Sequence, residues 1–226
     1  MIKPIIKTVT SSEADQAIAI VVLAFSADPV ARWFYPDPHQ YLLHLPNFVQ
    51  AFAGKAIGHD SAYQVDGYQG AALWLPPDIH PDEDALVALL QRTIPEENQQ
   101  DIFAFIEQMD RAHPPEPHWY LPMIGVDPVK QGQGYGSALL KHALEQCDSG
   151  NKLAYLEASS PKSIPLYLRH GFEPVGTIQV GSSPPLFPMV RKPRRLTVSE
   201  DTNCATQQPT GLAPNSLCLV NSFIDT

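Results

Sequence analysis

Runs of apolar residues divide the chain into short strands and amphipathic helices. Apolar positions that recur every three or four residues indicate helices, and short alternating or continuous runs indicate strands. The predicted strands cover residues 4–9, 61–65, 69–75, 153–157, 172–180 and 186–190, with one more ending before a glycine-rich loop. The predicted helices run up to Phe25, over 39–57, 82–92 and 96–111, from Gly134 onward, and around Tyr167.

The order of these elements predicts an α+β fold. Asp66 and Gly67 separate two predicted strands and are a hairpin signal, so those strands should pair antiparallel. The strand before the glycine-rich loop and the strand 153–157 are joined by one helix, as in a parallel pair with a right-handed crossover. We therefore expect a mixed, mostly antiparallel sheet that contains one parallel pair and is flanked by helices.

Residues 124–137 carry the most specific motif of the chain. They read Ile-Gly-Val-Asp-Pro-Val-Lys-Gln-Gly-Gln-Gly-Tyr-Gly-Ser and lead from a strand into a helix. Gly132, Gly134 and Gly136 let the backbone approach a ligand and take angles closed to other residues. The unpaired N–H groups and the dipole at the start of the helix favour anions, so the loop is suited to bind a pyrophosphate.

Two classes of nucleotide ligand use such a loop. The dinucleotide fingerprint needs glycine or alanine where this chain has Ser137, but Glu157 lies where that fingerprint places its ribose-binding acid. The residues 127–131 also separate the strand from the first glycine, whereas the fingerprint follows its strand directly. A nicotinamide-linked oxidoreductase is therefore the second hypothesis.

A downstream motif favours a nucleotide ligand other than a dinucleotide. The loop reads Gln-x-x-Gly-x-Gly from Gln131 to Gly136, and residues 166–172 read Leu-Tyr-Leu-Arg-His-Gly-Phe around Tyr167. Together the two motifs resemble the GNAT acetyltransferase superfamily over roughly residues 1–192. The resemblance implies a GNAT-type fold, in which the parallel strands splay apart, and acetyl-CoA as co-substrate without a metal.

Within the superfamily, the chain is most similar to puromycin N-acetyltransferase-like members. Residues 115–121, the loop and residues 156–161 carry this similarity, and residues 28–32 and 72–77 add to it. The resemblance implies cofactor contacts at Ile124, Gly125, Val126, Gln131, Gly132, Gln133, Gly134, Tyr135, Gly136, Ser137 and Ser160. It places Asp28 and Arg32 towards the substrate. Trp33 and Trp74 are candidates to line an aromatic cavity for a bulky amine, with filling of the core as the alternative.

The implied chemistry is direct attack of a primary amine of a small molecule on the thioester, which requires two proton transfers. An alkylamine has a pKa of about 10.4, so a base must remove a proton near neutral pH. Glu157, at the carboxyl end of a strand facing the expected cleft, is the candidate base. Tyr167 is the candidate acid, because a tyrosine with a pKa of about 10 stays protonated and donates to the leaving thiolate.

Composition and charge narrow the remaining classes of function. The 226 residues are 44% hydrophobic, which suits one domain. The formal charge of −9 disfavours nucleic acid and anionic membranes and would attract a cationic amine. The three cysteines form neither metal-ligand spacing nor a disulfide framework, and Cys147 reads as a buried helix residue. We expect a cytoplasmic protein without a membrane span or secretory signal.

The polar residues 193–226 form a tail outside the catalytic pattern, expected to be flexible or docked on the domain of residues 1–192. A homodimer belongs to the expected partners, although no sequence feature decides the oligomeric state. Besides the N-acetyltransferase and the nicotinamide enzyme, a third hypothesis stays open. It is a catalytically inactive regulator that binds acyl-CoA in the same loop.

Overall fold

A computed structural model describes residues 4–194 as a seven-stranded mixed sheet between two helical layers. The strands are β1 (Ile6–Thr8), β2 (Ala62–Val65), β3 (Gly70–Leu75), β4 (His118–Val126), β5 (Leu153–Ala158), β6 (Glu173–Pro174) and β7 (Phe187–Arg191). The helices are α1 (Ala14–Ala24), α2 (Pro29–Phe34), α3 (Pro38–Ala53), α4 (Lys55–Gly58), α5 (Glu83–Thr93), α6 (Glu96–Arg111), α7 (Tyr135–Ser149) and α8 (Ile164–Arg169). The predicted tail, except for Pro193 and Arg194, lies outside the described residues.

The spatial order of the strands is β1-β2-β3-β4-β5-β7-β6. Among the described strands, β4 and β5 form the parallel pair and all other neighbours are antiparallel. The predicted α+β class, with a mostly antiparallel sheet and one parallel pair, is therefore confirmed. This topology does not support the parallel sheet that a dinucleotide-binding domain would require.

Aspartates define the starts of three helices. Asp28, Asp37 and Asp82 precede α2, α3 and α5, and each carboxylate accepts hydrogen bonds from backbone N–H groups of the first turn, at 3.0, 2.9 and 3.2 Å. Such caps satisfy donors that have no partner within the helix. The predicted helix end near Phe25 is confirmed, since α1 ends at Ala24, and the predicted helix over 39–57 is divided at Gly54 into α3 and α4.

The hairpin between β2 and β3 forms as predicted. Asp66, Gly67 and Tyr68 have φ values of 46°, 68° and 69°, in the left-handed region that a tight hairpin turn uses. The two strands pair from Ala62 with Leu73 to Val65 with Gly70. Leu73 and Leu75 then pair with Met123 and Tyr120 of β4, so the register slips by one residue within β4.

Strand β4 separates from β5 halfway along its length. The two strands pair from His118 with Leu153 to Leu121 with Leu156, and pairing ends there although β4 continues to Val126. Pro122, which has no N–H group, is the first residue beyond the paired segment. The separation confirms the splay implied by the GNAT-type fold and leaves one side of β4, from Pro122 to Val126, without a partner strand within residues 4–194.

The predicted strand over 172–180 was wrong in extent. The structure has only β6 (Glu173–Pro174) and an isolated bridge between Ile178 and Leu186. Pro174 cannot donate to a ladder and Gly176 weakens an extended segment, so continuous pairing ends. Val180 then donates its N–H to the Ser183 hydroxyl at 2.9 Å, which turns the chain towards β7.

The sheet separates two hydrophobic clusters. Tyr120 and Tyr155 pack on one face in the cluster formed with α1, α3, α5 and α6. Leu121 and Leu156 pack on the other face with α7, where Cys147 is fully buried as predicted. Side chains alternate along a strand, so Glu157 shares the face of Tyr155. Within residues 4–194, no helix combines the length and apolarity that a membrane span needs.

Candidate active site

Two of the three loop glycines require a glycine backbone. Gly132 and Gly134 have φ values of 77° and 91°, and a Cβ atom at either position would have no atom within 4 Å. Gly136 lies inside α7 without a positive φ, so its backbone angles do not need glycine. The space beside the backbone at Gly132 and Gly134 is thus open.

The backbone of this loop presents unpaired donors. Among the described residues, no N–H group from 132 to 137 donates to a backbone or side-chain acceptor, and the first helical bond runs from Ala138 to Gly134. Gln131 Nε2 donates to the Val126 carbonyl at 3.3 Å and ties the loop to the end of β4. Clustered amides at a helix start bind anionic groups such as a pyrophosphate.

The other predicted cofactor residues lie around this loop. Ile124, Gly125 and Val126 pair with β3 and have no pairing with β5 on the opposite side. The Ser137 hydroxyl lies 2.7 Å from Nε2 of His170, at the end of α8. The Ser160 hydroxyl accepts from the Lys162 N–H at 3.3 Å within its own turn.

Beside the splay, a cavity of about 90 Å³ brings the predicted acid and base together. Glu157, Tyr167 and Asp28 all line it, together with residues of β4 from Leu121 to Ile124. The site therefore collects side chains from β5, α8 and the start of α2, beside the unpaired segment of β4.

Glu157 is a buried carboxyl with an unsatisfied oxygen. Its side chain is 3% exposed, and Oε1 has no hydrogen-bond partner within the described part of the chain. Burial raises the pKa of Glu157 to about 7, although the nearby Tyr120 and Tyr155 hydroxyls oppose the rise. A carboxyl with a pKa near neutrality is suited to accept a proton at physiological pH.

Tyr167 lines the same cavity, and its phenol is protonated at neutral pH. Burial, and secondarily the charge of Asp28, raises the pKa of Tyr167 above its usual value. Its ring packs against Phe172 with centroids 6.1 Å apart, which holds α8 against the turn that follows it. The hydroxyl is therefore a proton donor throughout the physiological range.

The four predicted substrate residues are not brought together. Asp28 lines the small cavity, caps α2 and accepts a hydrogen bond from the Ser159 hydroxyl; burial raises the pKa of Asp28. Arg32 instead donates to the Pro36 carbonyl and lies over the Tyr41 ring.

Neither tryptophan lines the small cavity. Trp33 packs on Phe34 and Phe105, with ring centroids 5.6 and 5.4 Å away. Trp74 is fully buried in the cluster under α7, on the face of the sheet opposite Glu157. Aromatic residues in a sequence do not reveal which face of a sheet they occupy, so the sequence did not decide between a substrate cavity and the core for these side chains.

Two histidines complete the environment of Glu157, and sequence reasoning missed both. His113 Nε2 lies 3.6 Å from Glu157 Oε1, and His113 Nδ1 lies 3.0 Å from His118 Nε2. Burial lowers the pKa of His113 to about 4, so its imidazole is neutral at pH 7. The contact joins residues far apart in sequence, and the only local signal was the proline-rich segment between the two histidines.

A second cavity, of about 460 Å³, opens beside His113 and Tyr120. Its floor is apolar, with Phe52, Leu86 and Leu90 buried. Five carboxylate residues and no lysine or arginine are among the described residues that line it, and the carboxylates are Asp78, Glu83, Glu107, Asp110 and Glu116. It shares Phe52, Ile106 and Met109 with the smaller cavity.

Within residues 4–194 no group of three or more His, Cys, Asp or Glu side chains is arranged to hold a metal ion.

Solved structures with the same architecture are acetyltransferases. An acetyltransferase from Corynebacterium glutamicum, described as histone acetyltransferase HPA2 and related acetyltransferase, is 26% identical with a TM-score of 0.61, over 87% of this chain and 100% of that one. Drosophila melanogaster polyamine N-acetyltransferase is 16% identical with a TM-score of 0.60, over 84% and 99% of the two chains. A mosquito arylalkylamine N-acetyltransferase like 5b is 14% identical with a TM-score of 0.59, over the same shares.

The family model of the acetyltransferase (GNAT) family matches residues 59–172. This match covers about half of the chain and includes β2 to β5, the glycine loop, α7 and α8. It therefore contains the glycine loop, Glu157 and Tyr167. The chain belongs to the GNAT acetyltransferase family.

Proposed function

We propose that the protein transfers an acetyl group from acetyl-CoA to a primary amine of a small molecule by direct attack. The observation that carries this proposal is Glu157, a buried carboxyl with a pKa of about 7 and an unpartnered oxygen. It faces a cavity that Tyr167 shares, at the point where β4 leaves β5. The proposed base and the proposed acid therefore lie together beside the part of β4 that does not pair with β5.

The loop and β4 fit acetyl-CoA. The free N–H groups from 132 to 137 suit the pyrophosphate, and the space over Gly132 and Gly134 admits it closely. The side of β4 from Ile124 to Val126 that has no pairing with β5 suits the amide-bearing pantetheine arm. We assign Gln131, Gln133, Tyr135, Gly136, Ser137 and Ser160 to the surroundings of the cofactor.

The two proton transfers fall to two side chains. Glu157 in its carboxylate form takes a proton from the attacking nitrogen, and its pKa near 7 makes that form abundant at physiological pH. Tyr167 gives its proton to the leaving sulfur, since its raised pKa keeps the phenol protonated until then. Burial of both groups strengthens their electrostatic effect on the reacting atoms.

The larger cavity suits the body of the amine. Its apolar floor would bury a hydrocarbon or aromatic group, and its carboxylates would attract a cation and disfavour an anion. His113 and Tyr120 line this cavity and also lie beside Glu157, so an amine bound there has its nitrogen near the base. We therefore infer an amine with an apolar body as the acceptor. Similarity to puromycin N-acetyltransferase-like members agrees with this choice.

The first experiment is calorimetric titration with acetyl-CoA and, separately, with NADH. We expect acetyl-CoA to bind and NADH not to bind. An amine panel with puromycin, arylalkylamines and polyamines is then assayed for release of the CoA thiol. Binding of NADH alone would favour the nicotinamide enzyme, and acetyl-CoA binding without thiol release for any amine would favour the inactive regulator.

The variant Tyr167→Phe tests the acid directly. We expect kcat to fall on the order of a hundredfold or more, because proton donation to the sulfur is lost, while acetyl-CoA affinity stays nearly the same. Unchanged turnover would remove Tyr167 from the mechanism.

A further inference from the structure

Two histidines connect the buried Glu157 carboxyl to the surface. His118 Nδ1 lies 2.7 Å from the carbonyl oxygen of Glu116, and His118 Nε2 lies 3.0 Å from His113 Nδ1. His113 Nε2 lies 3.6 Å from Glu157 Oε1, the oxygen without a hydrogen-bond partner. The side chain of Glu157 is 3% exposed, that of His113 is 24% exposed, and Glu116 is exposed. Solvent exposure therefore increases from Glu157 through His113 to Glu116.

The histidine rings are held in this arrangement by packing. The His113 ring lies 4.4 Å from the Tyr155 ring and 4.6 Å from the Tyr120 ring, measured between centroids. His118 begins β4 and pairs with Leu153 of β5. The segment between the histidines contains three prolines, which restrict its backbone. Neither imidazole is a freely rotating surface group.

The carbonyl oxygen of Glu116 fixes the hydrogen positions when both histidines are neutral. A carbonyl only accepts, so His118 carries its hydrogen on Nδ1 and its Nε2 is an acceptor. His113 must then donate from Nδ1, which leaves a lone pair on His113 Nε2 towards Glu157. That lone pair is satisfied when Glu157 is protonated and donates from Oε1.

A second arrangement with the same number of protons is equally satisfied. If Glu157 is a carboxylate and His118 is an imidazolium, His118 donates from Nε2 to His113 and His113 donates from Nε2 to Glu157. His118 Nδ1 still donates to Glu116. The two arrangements differ only in whether the proton lies on the buried carboxyl or on the half-buried His118.

We propose that His113 and His118 form a proton relay that carries the proton collected by Glu157 to solvent. The relay rests on the proposed acetyl transfer, in which an ammonium group loses two protons. One proton ends on the CoA sulfur through Tyr167, and the other leaves through Glu157, His113 and His118. The 3.6 Å gap between His113 and Glu157 must shorten by about 0.6 Å for transfer, as contacts in apo sites commonly do when substrate binds.

The low basicity of His113 suits this intermediate position. Burial, and secondarily the charges of His118 and His80, lowers the pKa of His113 to about 4. A group of this kind passes a proton on without retaining it at neutral pH. Glu116 and Pro117 are exposed at the far end of the relay. A water molecule there accepts the Nδ1 proton of the His118 imidazolium, which leaves the hydrogen on Nε2 until exchange with solvent restores the Nδ1–H form.

The kinetic test removes the outer histidine and supplies a substitute. His118→Ala should lower kcat by on the order of tenfold to a hundredfold, and added imidazole should restore turnover in proportion to its concentration. His118→Gln serves if the alanine variant fails to fold. The matched control is His59→Ala, an exposed histidine outside both cavities, which should leave kcat unchanged and insensitive to imidazole.

Nitrogen NMR of the histidine rings gives a readout that does not need turnover. In Glu157→Gln, whose amide donates to His113 Nε2, both His113 and His118 should be Nδ1–H tautomers at neutral pH. In the native protein, ionisation of Glu157 should move a hydrogen onto His113 Nε2. An Nε2–H tautomer of His118 in the Gln variant would overturn the relay.

The outcomes separate the relay from acetyl transfer. If the native protein transfers acetyl groups but His118→Ala keeps full kcat, the relay is wrong and the proposed function stands. If the native protein transfers acetyl to no amine, the proposed function fails, and the relay as an export path for the amine's proton fails with it. Loss of turnover with imidazole rescue supports both.

Discussion

The Ser137 hydroxyl lies 2.7 Å from His170 Nε2 and thereby links the first turn of α7 to the end of α8. The first of these helices follows the glycine loop directly, and the second carries Tyr167. Burial lowers the pKa of His170, and nearby arginine and lysine charges act in the same direction, so its ring is neutral at pH 7. This hydrogen bond thus links the helix that follows the glycine loop to the helix that carries the proposed acid.

Loss of this link should loosen the cofactor site. We expect Ser137→Ala to lower the free energy of unfolding by about 1 kcal/mol and to raise the KM for acetyl-CoA severalfold. Ser137→Thr, which keeps the hydroxyl, should restore both values. Steady-state kinetics and urea unfolding measure the two effects. An alanine variant equal to the native protein in both would show that the hydrogen bond does not position the loop.

The pH dependence of turnover should report Glu157. Because burial raises the pKa of Glu157 to about 7, kcat/KM should rise with pH through about 7 as the carboxylate forms. Glu157→Gln should lower kcat on the order of a hundredfold or more and lose this ascending limb. Acetyl-CoA affinity, measured by calorimetry, should be retained. An unchanged limb in the Gln variant would assign it to another group.

The same raised pKa predicts a gain in stability for Glu157→Gln. The folded protein holds the Glu157 proton up to about pH 7, whereas the unfolded chain loses it near the ordinary value of 4.5. This group's contribution is full below about pH 4.5 and is lost as pH rises through 7. The Gln variant should therefore be more stable at pH 8 by on the order of 1–3 kcal/mol, with a smaller difference at pH 5. Thermal unfolding at the two pH values measures this.

Gly134 should be the least replaceable glycine of the loop. With φ at 91°, an alanine there would be strained by about 1–2 kcal/mol although space is available, and relaxation of the strain would displace the amides. Gly134→Ala should therefore weaken acetyl-CoA binding and lower stability. The control is Gly176→Ala, at an exposed glycine without a positive φ. Equal effects of the two substitutions on acetyl-CoA affinity would contradict this prediction.

A buried ion pair outside the site should dominate acid stability. Arg191, 3% exposed, pairs bidentately with Asp148 at 2.7 and 2.8 Å. Burial alone would raise the pKa of Asp148, but hydrogen bonds from Arg191 and the Arg194 N–H outweigh it and lower that pKa. The stabilisation is present above the unfolded pKa of Asp148 and is lost as pH falls through its folded pKa.

Removal of the arginine tests this pair. Arg191→Met should destabilise the protein by about 2–4 kcal/mol at pH 7 and flatten the loss of stability in acid. The matched control is Arg111→Met, which breaks an exposed pair with Glu107 on α6 and should change stability far less. Chemical unfolding between pH 3 and pH 7 measures both variants. Similar losses of stability in the two variants would show that burial of Arg191 adds nothing to the contribution of its ion pair.

Features encoded locally were predictable from the sequence. The helix end near Phe25 and the turn at Asp66 and Gly67 depend on a few neighbouring residues, and both form. The loop at Gly132 and Gly134 also depends on backbone angles that a sequence reveals through glycine. In contrast, the strand after Phe172 was overestimated, because the apolar pattern did not weigh the lost donor of Pro174.

Features that depend on tertiary contacts were not predictable from patterns. His113 reaches Glu157 only because the segment after α6 crosses over β4 and β5, and no periodicity encodes that crossing. Trp74 illustrates the reverse case. This aromatic residue was a candidate for the substrate cavity, but strand register turned it towards the cluster under α7.

The short pairing between β4 and β5 has a mechanical consequence. Across residues His118 to Leu121, this pairing joins the sheet formed by β1–β4 to the sheet formed by β5–β7. The candidate active site therefore lies at the short connection between the two halves of the sheet, where we expect the sheet to separate most easily. A ligand bound along β4 would hold the two halves together at this connection. We expect it to slow amide exchange in strands on both sides, well beyond the residues it contacts.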